Sequence, residues 1–250
     1  MRPLLARWWV QQAGSSLQAM NRTLDVATSL GASIARLGSG VSVGPLGRRP
    51  EQPLQLYEFE SCPFCRKVRE TLTILDLDAD IFPCPKGGER FRPGVVESGG
   101  KALFPYLVDP NTGKAMYESS DIVRYLFAEY GDGKVPVLLA AGPLTLGTAM
   151  VASGLRLGLG ERVRPSRAPD RPLELWSFES SPFCRIVREM LCSLELPYRL
   201  HNVGKGSPGR PAFRERAGRM MVPYLADPNN GIELFESADI VAYLEGTYGV

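Results

Sequence analysis

A block of sequence that occurs twice does most to limit what this chain can fold into. Pro53-Leu54-Gln55-Leu56-Tyr57-Glu58-Phe59-Glu60-Ser61-Cys62-Pro63-Phe64-Cys65-Arg66 returns as Pro172-Leu173-Glu174-Leu175-Trp176-Ser177-Phe178-Glu179-Ser180-Ser181-Pro182-Phe183-Cys184-Arg185, 119 residues later. Phe104-Pro105-Tyr106-Leu107-Val108-Asp109-Pro110-Asn111 returns as Val222-Pro223-Tyr224-Leu225-Ala226-Asp227-Pro228-Asn229. Glu118-Ser119-Ser120-Asp121-Ile122-Val123 returns as Glu236-Ser237-Ala238-Asp239-Ile240-Val241, and these last two blocks are offset by 118. Three blocks repeated in one order mean a duplicated unit, so the 250 residues divide into two small domains.

Each unit reads the same way. Residues 54–59 are a short apolar stretch ending near a proline, the pattern of a buried strand. From Pro63, Phe64, Val68, Leu72 and Leu75 fall at helical spacing, which turns Arg66, Lys67, Arg69 and Glu70 outward. Pro63 sits in the first turn, where its missing N–H costs nothing. A second strand over residues 79–83 precedes a Gly/Pro-rich stretch with some helix. Two short strands then flank the Asp109-Pro110-Asn111-Thr112-Gly113 turn, and a last helix begins at Ser119. The order βαβαββα predicts an α/β fold, a small open sheet covered by helices.

Unit one spans residues 51–131 and unit two residues 170–250. Residues 1–19 form a leader. Arg2, Arg7 and Arg22, with no acid before Asp25, give the first two dozen residues the composition of an organellar targeting segment; a plain exposed leader is the alternative. Residues 20–50 carry a helical stripe (Leu24, Ala27, Leu30, Ile34, Leu37) and a linker. Residues 132–169 are an apolar linker helix, uncharged over 135–155 and close to a membrane span in length. Pro136, Pro143 and several glycines interrupt it, so a helix packed between the domains is expected rather than a transmembrane span.

Composition narrows the function. Apolar residues at 44% and charged residues at 22% suit a globular protein with a core. With 29 basic against 27 acidic side chains the chain has no field to draw nucleic acid. Five cysteines in so long a chain do not make a disulfide scaffold; they suit a reducing compartment and redox or metal chemistry.

The chemistry gathers at Cys62-Pro63-Phe64-Cys65, at a strand–helix junction. A cysteine just ahead of a helix faces unpaired N–H groups and the positive end of the macrodipole, and both favour thiolate. Cys62 is therefore the expected nucleophile, and Cys65, one turn along and deeper, resolves a mixed disulfide. Two inert core thiols are the plain alternative. A zinc or iron–sulfur centre wants four ligands and the unit offers only Cys84 as a third, so no metal is expected. Glu58 and Glu60 stand on the approach to Cys62 and would raise its pKa, with Arg66, Lys67 and Arg69 available to offset them. Unit two has Ser181 in place of Cys62 and keeps only Cys184, a degenerate copy without an attacking thiol. Cys192 belongs to the core, and His201 to the surface.

These motifs resemble glutaredoxins. With Phe104-Pro105-Tyr106-Leu107 and Glu118-Ser119 added, the chain looks more like the amino-terminal domain of glutathione S-transferases. The same Cys-Pro-Phe-Cys occurs in membrane-associated prostaglandin E synthases, which share that fold. The pairing of Tyr57-Glu58-Phe59-Glu60-Ser61-Cys62-Pro63-Phe64-Cys65-Arg66 with Pro83-Cys84-Pro85-Lys86-Gly87 is similar to plastid and cyanobacterial tandem proteins of this kind. The resemblance covers residues 51–131 and 170–250 and implies two thioredoxin-like domains.

It further implies that Pro105 and Pro223 follow cis bonds, so that the backbone of Phe104 and Val222 pairs with the cysteinyl part of glutathione. Glu118-Ser119 and Glu236-Ser237 match the pair that holds the γ-glutamyl group; a helix cap is the plain reading of the same residues. Cys84, after a strand parallel to the first, would lie near Cys62 with Lys86, Arg90 and Arg92 facing a glycine carboxylate; a spare thiol in a loop is the alternative. The expected function is a glutathione-dependent thiol–disulfide oxidoreductase, glutaredoxin-like, with glutathione as co-substrate and glutathionylated or disulfide-bonded proteins as partners. The alternatives are a transferase with its pocket between the domains, and a non-catalytic glutathione- or protein-binding module. The chain stops after the last helix of unit two, without length for the helical domain of a full transferase, which favours exchange over conjugation. The resemblance and the leader together point to a chloroplast, with the cytoplasm as the alternative.

Overall fold

The computed structural model describes residues 27–29, 39–140 and 159–250. The leader 1–19, most of the expected helix over 20–37 and residues 141–158 of the apolar linker lie outside the described residues; residues 27–29 are helical. Unit one runs β1 (Leu54–Glu58), α1 (Pro63–Ile74), β2 (Ala79–Pro83), α2 (Arg92–Gly99), β3 (Tyr106–Asp109), β4 (Lys114–Met116) and α3 (Ser119–Tyr130). After a short helix α4 (Val137–Ala140), unit two repeats the order. Its elements are β5 (Leu173–Ser177), α5 (Pro182–Ser193), β6 (Tyr198–Asn202), α6 (Arg210–Ala217), β7 (Tyr224–Asp227), β8 (Ile232–Phe235) and α7 (Ser237–Tyr248). Both units show the expected βαβαββα order. Among the described residues, no helix is long and apolar enough to cross a membrane.

Strand periodicity explains the layers. Leu54 and Leu56 are fully buried on one face, against Val68 and Leu72 of α1 and Ile122 and Leu126 of α3. Tyr57 points the other way, into a ring cluster with Phe82 and Tyr106, and Phe82 meets Phe91 at the head of α2. Unit two repeats this: Leu173 and Leu175 meet α5 and α7, while Trp176 meets Phe213 of α6 and Tyr224. Helices α1, α3, α5 and α7 thus cover one face, and α2 and α6 the other.

The two units share one sheet, in the order β4-β3-β1-β2-β6-β5-β7-β8. Within each unit the first two strands are parallel and the rest antiparallel. The join is β2 against β6, antiparallel, with Ala79 opposite Leu200, Asp80 opposite Arg199 and Ile81 opposite Tyr198. An open strand edge is a template for unwanted pairing, and here each unit covers the other's. The segment ahead of each unit crosses to its neighbour. Val43 donates to the Lys205 carbonyl at 2.9 Å and Val163 to the Lys86 carbonyl at 3.0 Å. Gly40 and Gly160 make these crossings possible. Both have positive φ, +77° and +73°, and a Cβ at either would sit 3.0 Å from the Cβ of Glu179 or Glu60.

This join overturns one expectation from helical spacing. Arg66, Lys67, Arg69 and Glu70 are buried rather than turned outward, and Phe64 is 45% exposed. The polar side of α1 faces the polar side of α5 across the seam, so charges that would meet water in one unit meet opposite charges of the other. Arg69 donates to Glu179 at 3.0 Å and pairs with Glu58 and Glu60 of its own unit. Arg188 reciprocates, donating to Glu60 at 3.1 Å through both Nε and Nη2 and pairing with Glu179 at 2.8 Å.

The repeated Asp-Pro-Asn block fastens the β3–β4 and β7–β8 turns to the last helices. Asp109 accepts from the Tyr125 and Tyr130 hydroxyls, each at 2.5 Å. Asp227 accepts from Tyr243 and Tyr248, each at 2.6 Å. Burial alone would raise the Asp227 carboxyl, yet the two hydroxyls with Asn229 and Asn230 hold it at about 2. We expect Asp227→Asn, which keeps the shape and removes the charge, to lower stability by about 2 kcal/mol in urea unfolding at neutral pH. A loss indistinguishable from zero would mean the hydroxyls bond a neutral group equally well.

Candidate active site

The site starts from a cap. Cys62 precedes α1 in extended conformation (φ −73°, ψ 121°), Pro63 opens the helix, and the Cys62 sulfur accepts the Cys65 N–H at 3.4 Å. A sulfur thus stands where an oxygen commonly caps a helix. The Cys65 thiol hydrogen-bonds to the same sulfur. That bond, with the backbone N–H groups of Cys65 and Phe64, holds the Cys62 thiol below its ordinary pKa against burial and the nearby Glu58. Burial and the Cys62 sulfur push Cys65 well above its ordinary value. Cys62 retains 4% exposure and Cys65 none, so exposure and ionisation select the same attacking sulfur.

The flanking carboxylates act in an unexpected way. Glu58 is buried beneath α1, and burial lifts its carboxyl to about 7 against the pull of Arg69. Near neutral pH it is only partly ionised, which limits its repulsion of the thiolate. Arg69 does not offset the carboxylates at the sulfur; its donors go to Glu58, Glu60 and Glu179. Neither Glu58 nor Arg69 is assigned such a place by helical spacing, because the partner that buries them lies 110 residues away in Glu179.

The bonds before Pro105 and Pro223 are both cis. The cis segment of unit one lies beside the cysteine turn: the Phe104 ring meets Phe59 edge-on at 6.2 Å, and Phe59 accepts the Cys62 N–H through its carbonyl at 3.1 Å. The start of α3 comes to the same corner, where Lys67 of α1 donates to Ser120 at 2.9 Å. Glu118 holds φ +65° just ahead of buried Ser119, and Glu236 holds φ +65° ahead of buried Ser237. A non-glycine residue in that region is strained, and such strain concentrates at binding sites.

Other expected contributors are spent elsewhere. Lys86 pairs with Glu161, and Arg90 donates to the carbonyls of Leu194, Glu195 and Ser166 in the other unit's territory. Arg92 donates to the Cys84 and Pro85 carbonyls and lies over the Phe104 ring at 4.7 Å. Cys84 is fully buried, its thiol donates to the Phe82 carbonyl, and burial raises its pKa. His201 is no simple surface residue; it is half-buried, and its Nδ1 lies 2.9 Å from Asp78. Cys192 is buried as expected, but in the polar seam, where its thiol donates to the Gly160 carbonyl.

Unit two keeps the frame without the nucleophile. Ser181 caps α5 (φ −70°, ψ 122°) and its hydroxyl accepts the Cys184 N–H at 3.3 Å. Burial raises Cys184, and all five cysteines are free thiols. Ser29, from residues 27–29, donates to the Pro182 carbonyl at 2.9 Å and so lies against this second motif.

A capped strand–helix junction, a cis-proline and a βαβαββα order together define a thioredoxin-like domain, present here twice, with cysteine as the cap in unit one and serine in unit two. The glutathione S-transferase N-terminal domain model matches residues 56–134 and 175–250. The chain belongs to that family, with both units as members. Two solved structures of the Bombyx mori glutathione transferase BmGSTD1 are similar. One is 30% identical over 34% of this chain and 38% of that one, with a TM-score of 0.31. The other, in complex with GTT, is 19% identical over 59% of this chain and 80% of that one, with a TM-score of 0.34. The chain therefore spans well under two thirds of the first transferase's length in that match. No curated protein matches the chain.

Proposed function

We propose that this protein is a glutathione-dependent thiol–disulfide oxidoreductase working through Cys62. The Cys62 thiolate attacks the glutathione sulfur of a mixed disulfide and expels the partner protein's thiolate, which takes up a proton. A second glutathione thiolate then attacks the Cys62–glutathione disulfide, releasing oxidised glutathione and restoring Cys62. The observation that carries this reading is the thiol of Cys62, capped by two backbone N–H groups and the Cys65 thiol and held below its ordinary pKa. Cys65 stays protonated, which favours release by glutathione over release by Cys65.

In this reading Phe104 and Pro105 align the cysteinyl backbone of glutathione, and Glu118 and Ser119 hold its γ-glutamyl end at the start of α3. Val222, Pro223, Glu236 and Ser237 offer unit two the same frame around Ser181 and Cys184, which binds or docks without exchanging disulfides. A cavity between the units is lined by Asp76, Trp176, His201 and α6 residues and by none of the Cys62 motif. A plastid, where free cysteines stay reduced, is the proposed compartment. Fusing the first two dozen residues to a fluorescent protein tests it; a diffuse cytoplasmic signal would remove it.

The proposal is tested by the pH profile of alkylation at Cys62, with glutathione binding followed by calorimetry. The midpoint should fall below that of a free cysteine, about 8.5. Glu58→Gln, which removes the carboxylate that raises Cys62, should lower the midpoint further. A midpoint at or above the free value, with no glutathione bound, would leave the non-catalytic module as the better account.

A further inference from the structure

The exchange of Cys62 for Ser181 is matched by a second difference between the units. Lys67, in the second turn of α1, donates to Ser120, in the first turn of α3, at 2.9 Å. Along the repeat Lys67 corresponds to Ile186 and Ser120 to Ala238. Donor and acceptor are therefore both present in the unit with the attacking sulfur and both missing from the unit without it. Their neighbours do not differ in this way. Arg66, Val68, Arg69 and Glu70 return as Arg185, Val187, Arg188 and Glu189, and Ser119 and Asp121 return as Ser237 and Asp239.

The fold does not require the pair. Helices α1, α3, α5 and α7 each have 12 residues. Val187 and Leu191 of α5 and Ile240 and Leu244 of α7 enter the core of unit two as Val68, Leu72, Ile122 and Leu126 enter that of unit one. Lysine is among the residues least often buried. Lys67 is nevertheless only 8% exposed, whereas the isoleucine at its twin position is half-buried. A cation against the first turn of a helix also opposes the macrodipole. Asp121, the acid of that turn, pairs along its own helix with Arg124. The main sources of the lowered Cys62 pKa are the Cys65 thiol and the N–H groups of Cys65 and Phe64, so the sulfur's acidity does not account for the lysine.

Its place in the site does. Residues three and four apart share a helix face, which sets Lys67 beside Pro63 and Phe64, the two residues between the cysteines. Its ammonium ends at Ser120, next in sequence to Glu118-Ser119. The side chain thus joins the two ends of the proposed glutathione site, the sulfur at the head of α1 and the γ-glutamyl corner at the head of α3.

We propose that Lys67 is a positioning residue for glutathione, acting through Ser120. It holds the first turn of α3 in place relative to Cys62 and adds positive charge to the corner that takes the α-carboxylate of the γ-glutamyl group. This rests on the glutathione reading given above. A tripeptide gripped at its sulfur and at its γ-glutamyl end needs both grips at one spacing, and a site that fixes that spacing beforehand loses less freedom on binding. Unit two has no sulfur at Ser181 to be placed, and it carries neither partner of the clasp.

The test uses two variants of the full chain. Lys67→Ile with Ser120→Ala writes the residues of unit two into unit one, so the fold should accept them. Lys67→Arg keeps the charge and reaches the hydroxyl. Both are titrated by calorimetry with glutathione and with γ-aminobutyryl-cysteinyl-glycine, which lacks only the α-carboxylate. The double variant should bind glutathione about tenfold more weakly than the unaltered protein, and Lys67→Arg should recover most of that loss. The analogue, without the group that the clasp serves, should bind the unaltered and double-variant proteins alike. In turnover of a glutathionylated peptide, KM should rise by about the same factor while kcat changes little. Undiminished glutathione binding in the double variant would overturn the positioning role alone. Equal weakening of glutathione and the analogue would overturn it as well, by showing general damage to the site. Failure of the unaltered protein to bind glutathione would remove the glutathione reading and this proposal together.

Discussion

Replacing Arg188 with methionine is expected to lower the stability of the protein by about 3–5 kcal/mol, read from urea unfolding at neutral pH. Arg188 is 2% exposed and serves Glu60, Glu179, the Ser177 hydroxyl and the Glu179 carbonyl. Taking it away leaves buried carboxylates short of donors, and an uncompensated buried charge is the expensive outcome. Arg69→Met should behave alike. The double variant should cost less than the two losses added, because both arginines serve the same two glutamates. A loss under about 1 kcal/mol, or strict additivity, would mean that the seam admits water and the charges are solvated.

The same charges fix a pH dependence. Burial would raise Glu179, but Arg188, Arg69, Arg66 and Arg185 hold it at about 2, against an ordinary 4.5. A depressed carboxyl contributes stability that is present above about 4.5 and lost as the pH falls toward 2. Glu58 has the opposite sign: at about 7 it takes up protons more readily in the folded state, so its contribution declines as pH rises from 4.5 to 7. Stability should therefore slope down on both sides of mildly acidic pH.

The second large effect is chemical. Cys62→Ser should reduce turnover of a glutathionylated peptide by about a thousandfold or more, since a serine hydroxyl without a base is a poor nucleophile. Unit two already displays that substitution, with Ser181 capping α5 in the same geometry as Cys62 caps α1. Cys65→Ser should keep most of the activity, because the glutathione route does not need the second thiol. Comparable losses in both variants would move the mechanism to the dithiol route. Full activity in Cys62→Ser would move it away from this cysteine altogether.

Much of this was legible in the sequence, because repeats and capping residues act locally. The βαβαββα order, the two units and the cap at Cys62 follow from spacing between near neighbours. The cis bonds at Pro105 and Pro223 came from resemblance and are present in both units. Helical spacing turns the charged side of α1 outward while the structure buries it, for a physical reason. Periodicity distinguishes apolar from polar faces, but it does not tell a face wetted by solvent from one matched by charges of a second unit. Arg69 and Glu179 lie 110 positions apart, and only the β2–β6 pairing brings them within reach. For the same reason the commitments of Lys86 and Arg90, and the half-buried place of His201, had no local signal.

The crossing of β2 and β6 places the halves of the protein about a local two-fold axis, and that axis sorts the residues into two kinds. Glu60 and Glu179, Arg66 and Arg185, and Arg69 and Arg188 are identical pairs at the contact. A self-complementary contact has this property: a change on one side meets an unaltered counterpart on the other and leaves it stranded. The caps at Cys62 and Ser181 are also related by the axis, yet neither has to match its twin for the halves to hold together. One copy can then keep its sulfur while the other exchanges it for oxygen, so the architecture permits a division of labour that its central contact does not share.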